Sequence, residues 1–500
     1  MQSDFNNVIR PKVLTYQISS IRPRYLILAL LVLSGFTHIW NAVGFPDIFF
    51  DEGVYMRRAM HVLSGQGPQE AYFYDHPFFG QIFLASILGL TGFPNSLHVS
   101  ESPTSISMLY LEPRIIMGIL AIVDTFLIYK IAEKRYGSKI ALFSSMLFAV
   151  MPFTWIVRRI LLDSILLPFL LLSIYLALYS KSSKHQNLTV TLSGICLGLA
   201  IFTKTPAFVM MPLVVGLVYF YTGKNPRRVI LWLIPVFLIP LLWPIYSIDA
   251  GQFDLWIKGI TYQTERFSYG LPYVSYLFLQ MDPVLFIGGI AGTVYSIYRR
   301  DWFILMWFVP FVIFLLAIGY NQYFYWIPIL PVFCLSMSIF IIKILERIKK
   351  KDMKNLPITI ILCIGAFGLI STLLVINANM SSSEFQAASY VIQNVKNNDN
   401  ETTILASPTY SWIFNDVFHK TNVFLDYSLA LYQPVVTPKV IVVEDLHYRV
   451  DMSRGNQLQQ YNSSRTTASF DINNPYDIRY YPYTNLKVNW EGSDIEIKEK

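Results

Sequence analysis

The stretch Ile140–Ser180, IALFSSMLFAVMPFTWIVRRILLDSILLPFLLLSIYLALYS, decides the fold. It is apolar over two membrane-spanning lengths and is interrupted once, by Arg158, Arg159 and Asp163. A helix needs about 20 apolar residues to cross a bilayer. The stretch therefore reads as two spans, near 140–157 and 164–180, joined by a short charged turn. Comparable segments lie near 25–45, 112–130, 188–203, 205–221, 229–247, 283–298, 302–319, 323–345 and 356–377. Together they predict an α-helical polytopic membrane protein with about eleven spans. Composition agrees. Of 500 residues, 54% are hydrophobic and only 14% charged, where a soluble domain carries about a quarter.

The net charge of +7 does not point to nucleic acid. The basic residues fall in short clusters between apolar segments rather than in one stripe, as membrane orientation requires. The three cysteines, Cys196, Cys334 and Cys363, all sit inside apolar segments and form no CxxC pair. The seven histidines show no metal-ligand spacing, so a catalytic zinc is not expected. Residues 1–24, with Arg10, Lys12, Arg22 and Arg24, lack a small-residue cleavage site and read as a cytoplasmic tail before an uncleaved anchor.

Orientation turns on one short apolar segment, Phe78–Phe93, which follows directly on Pro77. If it lies in the interface, the cytoplasmic loops hold Lys130, Lys134, Arg135, Lys139, Lys181, Lys184, Lys224, Arg227, Arg228, Arg299, Arg300 and the cluster Lys343–Lys354. The opposite side, from residue 94 to the last span, then keeps only Arg114, Arg158, Arg159, Lys204, Lys258 and Arg266. That is the bias the positive-inside rule demands, and it inverts if the segment spans. The expected plan is thus a transmembrane region over 25–378 with extracytoplasmic loops at 46–113 and 249–282. A soluble extracytoplasmic α/β domain follows over 379–500. In it PKVIVVEDL reads as a buried strand and Glu384–Asn397 as an amphipathic helix. Asn379, Asn400 and Asn462 open N-x-S/T triplets there, a weak signal. Asp124 falls inside a span, where a carboxylate is costly.

The remaining ionisable residues gather on one membrane face. FDEGVYM sets Asp51 and Glu52 at a helix start, and the following residues divide into an apolar face and a face with Arg57, Arg58 and His61, as in a helix lying flat in the interface. Asp75 and His76 precede the short segment, Arg114 opens the next span, and Arg158, Arg159 and Asp163 share one turn. Lys204 sits in the turn TKTP. Each also has an ordinary structural reading: acids at helix N-termini, cations snorkelling at helix ends, a histidine in a turn. Jointly they suit group transfer from a lipid-linked phosphate. A carboxylate would take the acceptor's proton and cations would stabilise the departing phosphate.

At these same residues the chain resembles the GT-C glycosyltransferases, in the branch of protein O-mannosyltransferases and aminoarabinose transferases of lipid A. The matching features are Asp51-Glu52, Asp75-His76-Pro77 with Phe78 where the family has a second proline, Arg114, the turn Arg159–Ser164, the pattern Gly198–Pro206, and Tyr323–Pro331. Asn321 and Gln322 stand where a basic residue is usual. The resemblance implies that Asp51 is the general base, with Glu52 and Asp163 orienting it. It assigns His76, Arg159 and Lys204 to the donor's phosphate end. Asp75, Arg114 and Arg158 join them as expected donor- or substrate-binding residues, and Lys258 and Arg266 in the second loop are offered as substitutes. It also implies a polyprenyl- or dolichyl-phosphate sugar donor and no organic cofactor, and leaves a divalent cation open. The rival readings are a transporter or lipid flippase, which would hold its polar groups near the midplane on repeated, broken helices, and a membrane-anchored binding protein.

Overall fold

The computed structural model describes residues 23–500 apart from 71–73, 267–269, 348–355, 398, 432, 434, 446–463 and 472–494. The tail before residue 23, Lys349–Lys351 with Lys354, and Asn462 lie outside the described residues.

The chain is mostly helical. The first helices are α1 (Pro23–Ile39), α2 (Phe50–Leu63), α3 (Phe79–Thr91), α4 (Pro103–Tyr136), α5 (Ser138–Val150) and α6 (Leu162–Tyr179). Then come α7 (Gln186–Thr203), α8 (Met211–Tyr221), α9 (Pro226–Leu238), α10 (Leu242–Asp249), α11 (Phe253–Glu265) and α12 (Leu271–Met281). The last long helices are α13 (Pro283–Arg299), α14 (Trp302–Ala317), α15 (Leu330–Arg347) and α16 (Leu356–Ile376). Every stretch expected to span is helical. By length and apolarity, however, six described helices suffice to cross a bilayer, or seven if α5 and the turn after it are one bent span. The helices α1, α8 and α14 are apolar but shorter, at 10–17 residues. The chain is an integral membrane protein. The short segment at 78–93 becomes α3, 13 residues long. That is about 20 Å of helix, short of a hydrocarbon core of about 30 Å.

Proline shapes the helix ends that matter. Three spans break into tight 3₁₀ turns at Pro152–Arg158, Thr205–Met210 and Tyr323–Ile329, and each turn carries a proline: Pro152, Pro206 and Pro328. Proline lacks the N–H an α-helix needs and crowds the preceding turn, and 3₁₀ geometry tolerates only short runs. The helix from Ser138 turns by 71° at the first of these breaks. The breaks put Arg158, Arg159, Lys204, Tyr323 and Tyr325 on irregular backbone rather than on a helix face. Asp124, by contrast, is buried within α4, and neither of its oxygens has a hydrogen-bond partner among the described residues.

After α16 come α17 (Ser382–Asn394), β1 (Thr402–Leu405), α18 (Pro408–Trp412), β2 (Lys439–Glu444), β3 (Arg465–Phe470) and β4 (Ile495–Glu499). The sheet order is β1-β2-β4-β3, with β1 and β2 parallel and the other pairs antiparallel. The expected strand is β2, and the expected amphipathic helix is α17. This C-terminal unit is not separate in its packing. Phe385, Trp412 and Ile441 belong to the same hydrophobic core as Phe45, Tyr110 and Trp155. The hydroxyl of Tyr110 on α4 donates to the Thr409 carbonyl at 2.9 Å and accepts from the Trp412 indole at 3.0 Å.

Candidate active site

Helix α2 carries the acidic pair, and successive helical residues point about 100° apart. Asp51 and Glu52 therefore meet different surroundings. Glu52 is wholly buried and its carboxylate is saturated. It accepts from Arg114 Nε at 3.0 Å and Nη2 at 2.9 Å, from Arg159 Nη1 at 3.0 Å, and from the Phe49 and Ile160 amides at 2.9 and 3.1 Å. Burial alone would raise its pKa, but the two guanidiniums outweigh that and hold it below the ordinary carboxylate value. Arg114 also donates to the carbonyls of Ala42, Pro46 and Asp47 at 2.8–3.0 Å. Arg159 reaches the Asp47 carboxylate as well and packs over the Trp155 ring at 5.1 Å. These groups tie α2, α4 and the 158–160 turn into one buried knot.

Asp51, one residue earlier, is half-buried. Its charge acts on Tyr55, Arg266, Tyr320 and Tyr325, and Tyr320 and Tyr325 line a cavity. The cavity holds about 690 Å³. Its polar lining residues include Asp75, His76, Lys204, Gln263, Tyr320 and Tyr325, and its apolar ones include Ile201, Phe208, Val236, Phe237, Leu241 and Phe314. A cavity with this lining accommodates an amphiphile, its polar head against the polar residues and its hydrocarbon chain against the apolar ones.

The charged groups lining the cavity are paired. Lys204 Nζ lies 2.6 Å from Asp163 Oδ2, both buried, and 4.4 Å from the centre of the Tyr325 ring. Arg58 Nη2 contacts Asp75 Oδ1 at 2.6 Å, with Glu70 3.8 Å from its Nε. Burial tends to raise Asp75, but Arg58 outweighs it and the pKa ends below its ordinary value. His76 Nε2 is 3.8 Å from Asp75 Oδ2. Burial pushes its pKa down to about 3, with Lys204 and Arg58 adding to the effect against Asp75, so the ring is a neutral hydrogen-bonding group at ordinary pH. Arg266 stacks on Tyr320, 3.7 Å from the ring centre, and the Tyr320 hydroxyl accepts from Gln322 at 2.8 Å.

Of the residues expected at the site, Asp75, His76 and Lys204 line the cavity, and Asp163 stands behind Lys204. Glu52, Arg114 and Arg159 form the knot behind Asp51. Arg158 donates to the Trp40 carbonyl and packs over Phe45, and it is not among the residues lining the cavity. One expectation is corrected. Arg57 and Arg58 do not form the wet face of an interfacial helix, because both are buried. Arg57 binds Glu70 and the Leu425 carbonyl at 2.9 and 3.0 Å, so polar periodicity here marks an internal salt-bridge layer. Sequence reasoning missed Arg58 and Tyr320 as site residues. Arg58 follows Asp51 by two helical turns, close to the same face, and that spacing was the available signal. Among the described residues no three His, Cys, Asp or Glu side chains gather as a metal site.

Residues 28–242 match the family profile described as dolichyl-phosphate-mannose-protein mannosyltransferase. Among curated proteins, none matches the sequence. The fold resembles ArnT from Cupriavidus metallidurans bound to undecaprenyl phosphate, with TM-score 0.58 and 12% identity, covering 95% of this chain and 97% of that one. It also resembles the archaeal oligosaccharyltransferase AglB from Archaeoglobus fulgidus in complex with an inhibitory peptide and a dolichol-phosphate, with TM-score 0.54 and 11% identity, covering 86% and 70%.

Proposed function

We propose that this chain, a membrane glycosyltransferase of the GT-C type with a dolichyl-phosphate-mannose-protein mannosyltransferase domain over residues 28–242, moves a sugar from a polyprenyl- or dolichyl-phosphate carrier onto an acceptor hydroxyl. The sugar is mannose or another hexose, and the acceptor a protein, lipid or glycan. The observation that carries the reading is the cavity: a largely apolar lining that includes Lys204, His76 and Asp75, with the half-buried Asp51 acting electrostatically on its lining residues Tyr320 and Tyr325. ArnT holds undecaprenyl phosphate and AglB holds a dolichol-phosphate within the same fold, which supports a lipid phosphate here. These matches favour transfer over transport.

In this mechanism Asp51 takes the acceptor's proton. The acceptor oxygen bonds to the anomeric carbon from the face opposite the leaving group, and the carbon–oxygen bond to phosphate breaks. The lipid phosphate leaves with the electron pair, and the configuration inverts. General-base catalysis of this type contributes about 10²–10⁴-fold. Arg266 on its Tyr320 seat and Lys204 meet the phosphate's charge. Neutral His76 and the tyrosine hydroxyls supply hydrogen bonds. Glu52 and Asp163 act as positioning residues, the first through the α2 start and the second through Lys204. Each of Glu52, Asp75 and Asp163 already has a cationic side chain within about 3 Å, so we propose transfer without a divalent metal. The basic loops support a cytoplasmic N-terminus, with the site and the C-terminal unit outside.

The test is transfer of labelled sugar from a panel of polyprenyl-phosphate sugars in membranes, for wild type and Asp51→Asn at equal expression. Transfer that falls by about 10²-fold or more in the variant supports the reaction and its base. No transfer from any donor would overturn the reaction, and activity surviving in the variant would overturn the base.

A further inference from the structure

The approach to the catalytic helix is stitched to the chain that leads out of the last long helix and into α17. Asn41 Nδ2 donates to the carbonyls of Ile376 and Ala378, each at 2.9 Å. The Met380 amide donates to the Gly44 carbonyl at 2.7 Å, and Ser381 Oγ donates to the Val43 carbonyl. The seam ends at Glu384. Its two carboxylate oxygens accept from the Ile48 amide at 3.0 and 3.2 Å, three residues before Asp51. The next residues of α2 rest on the C-terminal unit as well. Gly53 lies so close to Pro408 that a Cβ there would meet its carbonyl oxygen at 2.3 Å.

The Ile48 amide precedes the helix, so no helical carbonyl serves it, and a buried amide without an acceptor costs about 1–3 kcal/mol. Glu384 is the acceptor provided. It comes from an element some 330 residues away in sequence, as its separation of 336 from Ile48 records. Glu52 fixes the α2 start through Arg114 and Arg159, and Glu384 fixes the preceding segment through the Ile48 amide. Asp51 sits between the two clamps.

We infer that Glu384 is a positioning residue for the transfer reaction, holding the 46–50 segment so that the Asp51 carboxylate meets the acceptor, and that the C-terminal unit is thereby part of the catalytic apparatus. This rests on the reading of Asp51 as the base. The function asked of Glu384 is that of an acceptor, not of an anion. Burial and then the neighbouring Asp47 carboxylate push its pKa well above the ordinary range, with Asp445 adding to this and Arg114 and the Ile48 amide opposing it. A neutral amide oxygen at the same place serves equally.

The experiment uses the full chain and compares Glu384→Gln, Glu384→Asp and Glu384→Ala with wild type and Asp51→Asn. It reads kcat and donor KM, together with amide hydrogen exchange across 45–52 in the folded protein. Glu384→Ala and Glu384→Asp, whose carboxylate is withdrawn by one methylene, are expected to lower kcat about ten- to a hundredfold. Donor KM stays within about twofold in this case, since misplacing the base leaves donor binding intact. Glu384→Gln is expected to keep near-wild-type kcat and exchange, whereas the other two exchange faster at 45–52. Should Glu384→Ala fail to fold, the contrast between Asp and Gln decides. Wild-type kcat in Glu384→Asp, or equal loss in Gln and Asp, overturns the inference while Asp51→Asn remains inactive. Turnover surviving in Asp51→Asn overturns the base assignment itself.

Discussion

Lys204 and Asp163 lie 2.6 Å apart, 41 residues apart in sequence and both shut away from solvent. One stands in the 3₁₀ break after α7 and the other in the first turn of α6. A buried pair of this kind is weak evidence for stability but strong evidence of interdependence, because removing either partner strands the other charge.

Lys204→Met and Asp163→Asn should each lower transfer at least about tenfold, and the double variant should lose less than the two combined. A coupling energy of about 0.5–3 kcal/mol is expected for groups in direct contact. Strictly additive losses in the double-mutant cycle would show that the two act separately.

Glu52→Gln should destabilise the fold by about 3–5 kcal/mol, since it leaves Arg114 and Arg159 buried beside a neutral amide. The wild-type carboxyl has a folded pKa below its ordinary 4.5. Its contribution is therefore complete above that value and fades as pH falls through the lower folded value. Thermal unfolding in detergent against pH should show this acid-side loss in wild type and lack its Glu52 component in the variant.

The depressed pKa of His76, about 3, keeps the ring neutral at ordinary pH. The profile of kcat/KM between about pH 5 and 8 should then carry no limb from this residue. Replacing it with glutamine should change the rate without changing the profile's shape. A limb near 6.5 that disappears in the variant would refute this.

Ala317 lines the apolar wall of the cavity. Ala317→Trp should fill part of it and raise the donor KM by about tenfold, equivalent to about 1.4 kcal/mol, with a smaller effect on kcat. Donors with shorter lipid chains should be affected less.

Transfer should persist after exhaustive chelation. Asp75 and Asp163 are already met by Arg58 and Lys204, and Glu52 by Arg114. Loss of activity with EDTA, restored by a divalent cation, would count against this assignment of the charges.

Much of the candidate site is legible in the sequence. Asp75, His76 and Lys204 were found because ionisable residues between apolar spans are few, and all three line the cavity. Arg58 was not, since a polar helical face reads the same whether water or Glu70 and Asp75 cover it. Glu384 was seen only as part of an amphipathic helix, since nothing local reveals that its partner is the Ile48 amide.

The sequence by itself determined that this is a membrane protein, where its apolar helices run, and that its acids and cations collect at helix ends rather than within spans, Asp124 excepted. Those features follow from hydropathy, helical period and proline, which are local. Tertiary structure alone decided which carboxylate is spent on which cation. Asp51 and Glu52 are neighbours of equal chemistry, yet a turn of about 100° between them sends Glu52 into the Arg114–Arg159 knot and leaves Asp51 half-buried. That difference depends on helices distant in the chain, and no local pattern contains it.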